Sequence, residues 1–212
     1  MMKKALFVLF ALMMLSSFCY ADEVKNQESM ADKLAAARFT GEVKKVAILL
    51  DAPMTYADNE NIRKLVPEKA TSIFKKPKFQ ILPFDDAQMQ KKIYREEHNM
   101  VTSDYRTISA LKMADVQSLG KQLGADYVLF LNVHNTMPRL GVGFFSMSFK
   151  TTITCDMRLM NVVDGKYTFM KQIVRDGSST AVMYGIPSFD GAYRDALSKS
   201  LAELNTIDTS NL

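Results

Sequence analysis

The stretch Leu119–Val133, LGKQLGADYVLFLNV, most constrains what this chain can fold into. A helical pattern stops at Gly124, and Tyr127–Leu131 is then apolar without a break. Glycine takes the left-handed conformation that closes a helix at little cost. An unbroken apolar run rich in aromatic and branched residues suits a strand buried on both faces. This strand belongs at the centre of a sheet.

The surrounding segments alternate in type. Val43–Leu50 reads as a first strand, ended by Asp51 and Pro53. Asn59–Phe74 follows as a helix with Asp58 as its cap, and Ile62, Leu65, Val66, Ala70 and Ile73 lie on one face. Pro67 is expected to kink or restart it, because an interior proline removes one hydrogen bond and crowds the preceding turn. Phe79–Leu82 is a short strand. Asp85 or Asp86 caps a helix through Met89, Ile93 and Tyr94, and the polar run from Arg95 to Thr107 is expected to be loop with a frayed helix end. Ser109 or Asp115 starts the helix that leads into the central strand.

The last third is patterned differently. From Phe145 to Leu159 the odd positions are mostly apolar and the even ones polar, the signature of a long strand with one wet face. Asp164-Gly165 signals a tight hairpin with positive φ at both central residues. Tyr167–Val174 returns as the partner strand, Gly177-Ser178-Ser179 ends it, and Ser188 caps a final helix with Phe189, Tyr193, Ala196, Leu197, Leu201 and Leu204 on its core face. The fold class expected is α/β: β-α-β-α-α-β-β-β-α, a mixed five-stranded sheet in the order 2-1-3-4-5, with helices on both faces.

Residues 1–21 read as a cleaved secretory signal. Lys3 and Lys4 precede an apolar run that is too short for a bilayer, which takes about 20 residues, and Cys19-Tyr20-Ala21 offers a cleavage site. Phe18 stands where a lipoprotein signal would place a small residue, which disfavours acylation of Cys19. Residues 22–42 form a polar tether or a short helix between Ser29 and Phe39, 43–207 a single domain, and 208–212 a tail. Without the leader the net charge falls from +4 to +2, which argues against a nucleic-acid binder. Cys155 is then the one remaining thiol, and it falls on the apolar face of the alternating strand.

Three segments carry a family resemblance: KVAIL at the start of the domain, GADYVLFLNV at its centre and RLMNVVDGKYTF at the hairpin, followed by a terminal amphipathic helix. Over Lys44–Asn205 the chain resembles a bacterial envelope group that includes CsgG, the amino-terminal domain of TolB and LpoB-like outer-membrane lipoproteins. The group shares no catalytic residues, so the resemblance implies action through surfaces and assembly. The connection from Val133 to Phe145 is short, with no obvious membrane hairpin, which opposes a pore of the CsgG type.

The residues themselves show no catalytic constellation. His98 and His134 stand in unrelated segments without zinc-ligand spacing, so neither a metal nor another cofactor is expected. Gly141-Val142-Gly143 lacks the third glycine of a phosphate loop and precedes a strand. Asn132, His134, Asn135 and Arg139 follow the central strand, near a carboxyl end where open sheets bind ligands, and are the candidate ligand or partner surface. The expectation is an exported binding protein of the periplasm or outer-membrane surface, with an envelope protein partner and an assembly or regulatory role. A membrane-inserting oligomeric secretion component and a small-ligand binder or enzyme are the alternatives. Peripheral membrane association and a homo-oligomer stay open.

Overall fold

The computed structural model describes residues 40–100, 110–143, 146–182 and 186–212. The chain divides into two units, one of Met1–Glu42 with Lys76–Lys78 and one of Val43–Lys75 with Phe79–Leu212. All elements named below belong to the second. The leader, and the helix expected between Ser29 and Phe39, lie outside the described residues.

Six strands form one mixed sheet: β1 (Lys44–Asp51), β2 (Phe79–Ile81), β3 (Tyr127–Asn135), β4 (Arg139–Val142), β5 (Ser146–Asn161) and β6 (Lys166–Val182). β1 pairs in parallel with β2 on one side and β3 on the other. β3 and then β4 run antiparallel along one edge of β5, and β6 runs along its other edge. The expected order, first to fifth, therefore holds for the long strands. The connection after β3 is more than a loop: it contains β4, which turns back to pair with the start of β5. The return strand is also longer than its apolar stretch, continuing through Gly177 to Val182.

Helices cover both faces. On one, α2 (Glu60–Ile73) and α5 (Phe189–Leu201) bury Ile62, Val66, Tyr193, Ala196 and Leu197 against Ile48, Leu129, Ile153, Cys155 and Met157. On the other, α3 (Phe84–Glu97) and α4 (Met113–Gln122) bury Ala87, Tyr94, Val116 and Leu119 against Leu49, Val128, Phe130 and Met160. A one-turn helix, α1 (Met54–Ala57), precedes α2, and Tyr56 stacks on Tyr193 with ring centroids 3.9 Å apart. The five fully or nearly fully buried residues Val46–Leu50 alternate between the two cores, as do Tyr127–Leu131. Burial on both sides is why those runs are apolar at every position.

The junction between α4 and β3 forms as its glycine dictates. Gly124 has φ +63°, and the Ala125 N–H donates to the Gly120 carbonyl, 3.0 Å away, closing the helix with a left-handed cap. Asp126 then receives the Lys45 N–H at 2.7 Å, tying the start of β3 to β1.

Local expectations were corrected in several places. Asn59, not Asp58, caps α2, its side chain accepting the Asn61 N–H. That helix runs through Pro67 without a break, since only one N–H is lost and packing of Ile62, Val66 and Ala70 holds both turns. α3 starts at Phe84, leaving Asp85 and Asp86 in its first turn, where carboxylates favour the positive helix end. Asp115, one of the two expected starts of α4, receives the Lys112 N–H at 2.7 Å in its first turn, and Ser109 lies outside the described residues. The β5–β6 turn has positive φ at Gly165 alone: the Gly165 N–H donates to the Asn161 carbonyl, and the Asn161 side chain accepts from Val163 and Asp164. A four-residue loop replaces the expected two-residue turn.

Cys155 lies fully buried beneath α5, and burial pushes its thiol up to about 12. In native protein Cys155 should therefore resist alkylation by iodoacetamide at pH 8, and denaturation should expose it. Equal alkylation rates in native and denatured protein would put Cys155 at the surface.

Candidate functional site

β1 and β3 are parallel, so their carboxyl ends emerge at the same end of the sheet, where open α/β sheets commonly bind ligands. Register places Asp51 beside Asn132, Asn132 beside Asp156 and Asp156 beside Gln172. A polar row thus crosses four strands, one step beyond the buried Leu49 and Phe130. α3 brings two cations to it. Lys91 Nζ donates to Asp51 Oδ1 at 3.1 Å and to the Leu50 carbonyl, and Arg95 Nη2 donates to Asp51 Oδ2. Arg158 pairs with Asp156 and lies 5.5 Å above the Tyr167 ring.

This row fastens a helix to the sheet. Burial pushes the Lys91 ammonium down, opposed by the attraction of Asp51. Both Asp51 oxygens accept from cations, so its carboxylate is committed to an ion pair. Arg95 is 5% exposed, and its Nε and Nη1 are buried without a hydrogen-bond partner among the described residues. Breaking one member would leave an uncompensated buried charge, the costly case for such clusters. Among the described residues there is no group of three or more potential metal ligands.

The four residues expected at the site separate. Asn132 is half-buried in the polar row, and His134 is exposed further along the same face. Asn135 points to the opposite face, because successive strand residues alternate, and its amide donates to the Thr136 carbonyl at 3.2 Å. Arg139 lies past the Thr136–Pro138 corner, on β4. His98 is a helix-end residue: it stacks on Tyr94 and its Nδ1 lies 2.8 Å from the Tyr94 carbonyl oxygen.

Arg139 instead joins residues that no sequence spacing connects. A groove of about 480 Å³ is lined by Thr136, Arg139, Lys150, Asp176, Ser178 and Lys199, among others. Arg139 is the register partner of Lys150, which is in turn the partner of Ser178. A second groove, of about 560 Å³, runs between α2, α5 and β6, with Lys64, Arg194, Glu68 and Asp195 of mixed sign along it.

The other face of the β4–β5 hairpin is apolar. Register pairs Leu140 with Phe149 and Val142 with Met147. Leu140 is 54% exposed, Val142 73% and Met147 42%, and Met137 at the corner is 88% exposed. Phe149 is half-buried against Phe189, with ring centroids 3.8 Å apart. The alternating apolar face thus becomes true core only from Thr151 onward; before it, Phe149 reaches just the first residue of α5 and Met147 is exposed.

No family model matches the chain, and no curated protein matches it. Solved structures do. Lipoprotein GNA1162 from Neisseria meningitidis matches at 14% identity over 76% of this chain and 99% of that one, with a TM-score of 0.36. The C-terminal domain of LpoB from Salmonella enterica matches at 9% identity over 66% and 91%, with a TM-score of 0.32. The hypothetical protein CT253 from Chlamydia trachomatis matches at 11% identity over 77% and 94%, with a TM-score of 0.34. At these scores and identities the likenesses carry no function to this chain.

Proposed function

We propose that this chain is an exported cell-envelope protein that acts by binding a protein partner, in an assembly or regulatory role and without catalysis. The exposed apolar face of the β4–β5 hairpin carries the reading. Leu140, Val142 and Met147 share that face. A contiguous group of large exposed apolar side chains marks an interaction surface, whereas scattered ones do not. Methionine suits the centre of such a surface because its unbranched side chain adapts to the partner. The leader pattern of residues 1–21 supports export, and the resemblance over Lys44–Asn205 supports an envelope role. No helix among the described residues is long and apolar enough to cross a membrane.

Site-specific photo-cross-linking in cells of the source organism tests it. A cross-linker at Val142 should give a discrete adduct with an envelope protein, and one at Lys121 on α4 should not. Leu140→Ser combined with Met147→Ser should abolish the Val142 adduct. Persistence of the adduct in that double variant, or none at all, would remove the hairpin as the partner surface.

A further inference from the structure

On the hairpin's other face, Arg139, Lys150 and Ser178 form one row across β4, β5 and β6. They line the 480 Å³ groove. Residues directly opposite across an antiparallel ladder have Cβ atoms about 4.5–5.5 Å apart, and like charges at that spacing repel. Neither Arg139 nor Lys150 has an ion-pair partner among the described residues. The third cation of the groove is already committed: Lys199 Nζ pairs with Asp195 at 2.6 Å and donates to the Asp176 carbonyl at 3.2 Å. The groove's one carboxylate, Asp176, accepts the Thr152 hydroxyl at 2.6 Å. The Ser178 hydroxyl has no partner among the described residues, while the Ser178 N–H donates to Asp195.

We propose that this groove binds a phosphate monoester, its oxygens bridging the Arg139 guanidinium and the Lys150 ammonium with the Ser178 hydroxyl as a further donor. Charge selects that chemistry. Asp176 offsets part of the groove's charge, but the tetrahedral oxygens of a phosphate monoester, carrying about −1.5 to −2 at neutral pH, can meet both cations at once, whereas a planar carboxylate pairs with one. The planar guanidinium suits two phosphate oxygens at once, and the ammonium acts as a point charge beside it. The phosphate can be free, on a small soluble molecule, or carried on a lipid headgroup; the groove's chemistry is the same for both.

Calorimetric titration at constant ionic strength distinguishes them, using glycerol 3-phosphate as one probe and phosphatidylcholine vesicles containing phosphatidic acid as the other. Saturable binding of glycerol 3-phosphate identifies a soluble ligand. Binding to the phosphatidic acid vesicles alone, and not to pure phosphatidylcholine, identifies a lipid-borne one. In either arm Arg139→Gln or Lys150→Gln should weaken binding on the order of tenfold or more, as expected for loss of a charge-assisted contact. Lys121→Gln, an exposed charge elsewhere, should leave it unchanged. All three side chains are exposed, so the variants keep the fold, and circular dichroism verifies this. No binding of either probe, or equal binding by the parent and both groove variants, would overturn the proposal. The Leu140→Ser and Met147→Ser pair should leave phosphate binding intact, so the two surfaces stand or fall separately.

Discussion

Met157→Asp should abolish cooperative unfolding, leaving a chain without a thermal transition, while Phe149→Asp, on the same face of the same strand, should leave a folded protein. Met157 is fully buried among Leu131, Ile173 and Leu197. An aspartate there loses the apolar packing, worth about 2–5 kcal/mol for a truncated large core side chain. It also buries a carboxylate whose cross-strand neighbour, Lys171, is already paired with Glu203, at a further cost of several kcal/mol. Together these approach the whole stability of an ordinary domain, about 5–15 kcal/mol. Phe149 is only half-buried, reaching just Phe189 at the start of α5, and loses that contact and part of its apolar burial, about 1–3 kcal/mol. Thermal unfolding followed by circular dichroism checks both. A Phe149→Asp variant as disrupted as Met157→Asp would show that the core extends along the full length of β5.

Gly177→Ala should be the most damaging single-methyl addition among the described glycines. A Cβ at residue 177 would lie 2.0 Å from the Ala192 carbonyl oxygen, 2.5 Å from the Ala196 nitrogen and 2.7 Å from the Ala196 Cβ. Two of these are backbone atoms of α5, which no rotamer change can move. The helix would have to lift from β6, carrying with it Tyr193, Ala196 and Leu197, all fully buried. The expected loss is about 3 kcal/mol, at the upper end of the overpacking range because the obstacle is backbone. Hydrogen exchange should show the loss concentrated in α5 and β6. As a control, Gly143→Ala meets chiefly the Ser146 side chain, whose hydroxyl can turn away, and should be nearly neutral. Equal stability of Gly177→Ala and the parent would show that α5 does not pack this closely.

These two cases mark how far the sequence could be read. Period-two alternation gave the face of β5 correctly, yet it cannot show where the covering helix ends, so Phe149 and Met157 look equivalent in the pattern. Gly177, between Asp176 and two serines, reads as a strand terminator, because the usual reason for such glycines is a turn. Here its reason is the close approach of a helix, which lies in another part of the chain. Asn132 and His134 stand out in the sequence because a strand end is a local signal. Lys150, Ser178 and Lys199 do not, because they meet Arg139 only through strand register and helix docking.

By itself the sequence determined the α/β class, the order of the long strands, the capped junction at Gly124 and the two-sided burial of β3. Each of these follows from spacing within one segment: a period of two or of 3.6, an unbroken apolar run, or a glycine at the only position where its φ is needed. Tertiary structure alone decided the fold-back of β4, the extension of β6, the Asp51–Lys91–Arg95 lock and the opposed faces of the hairpin. Those depend on which residues face one another across a ladder or beneath a helix. Such contacts join positions tens of residues apart, and their free energy appears only once burial has brought them together.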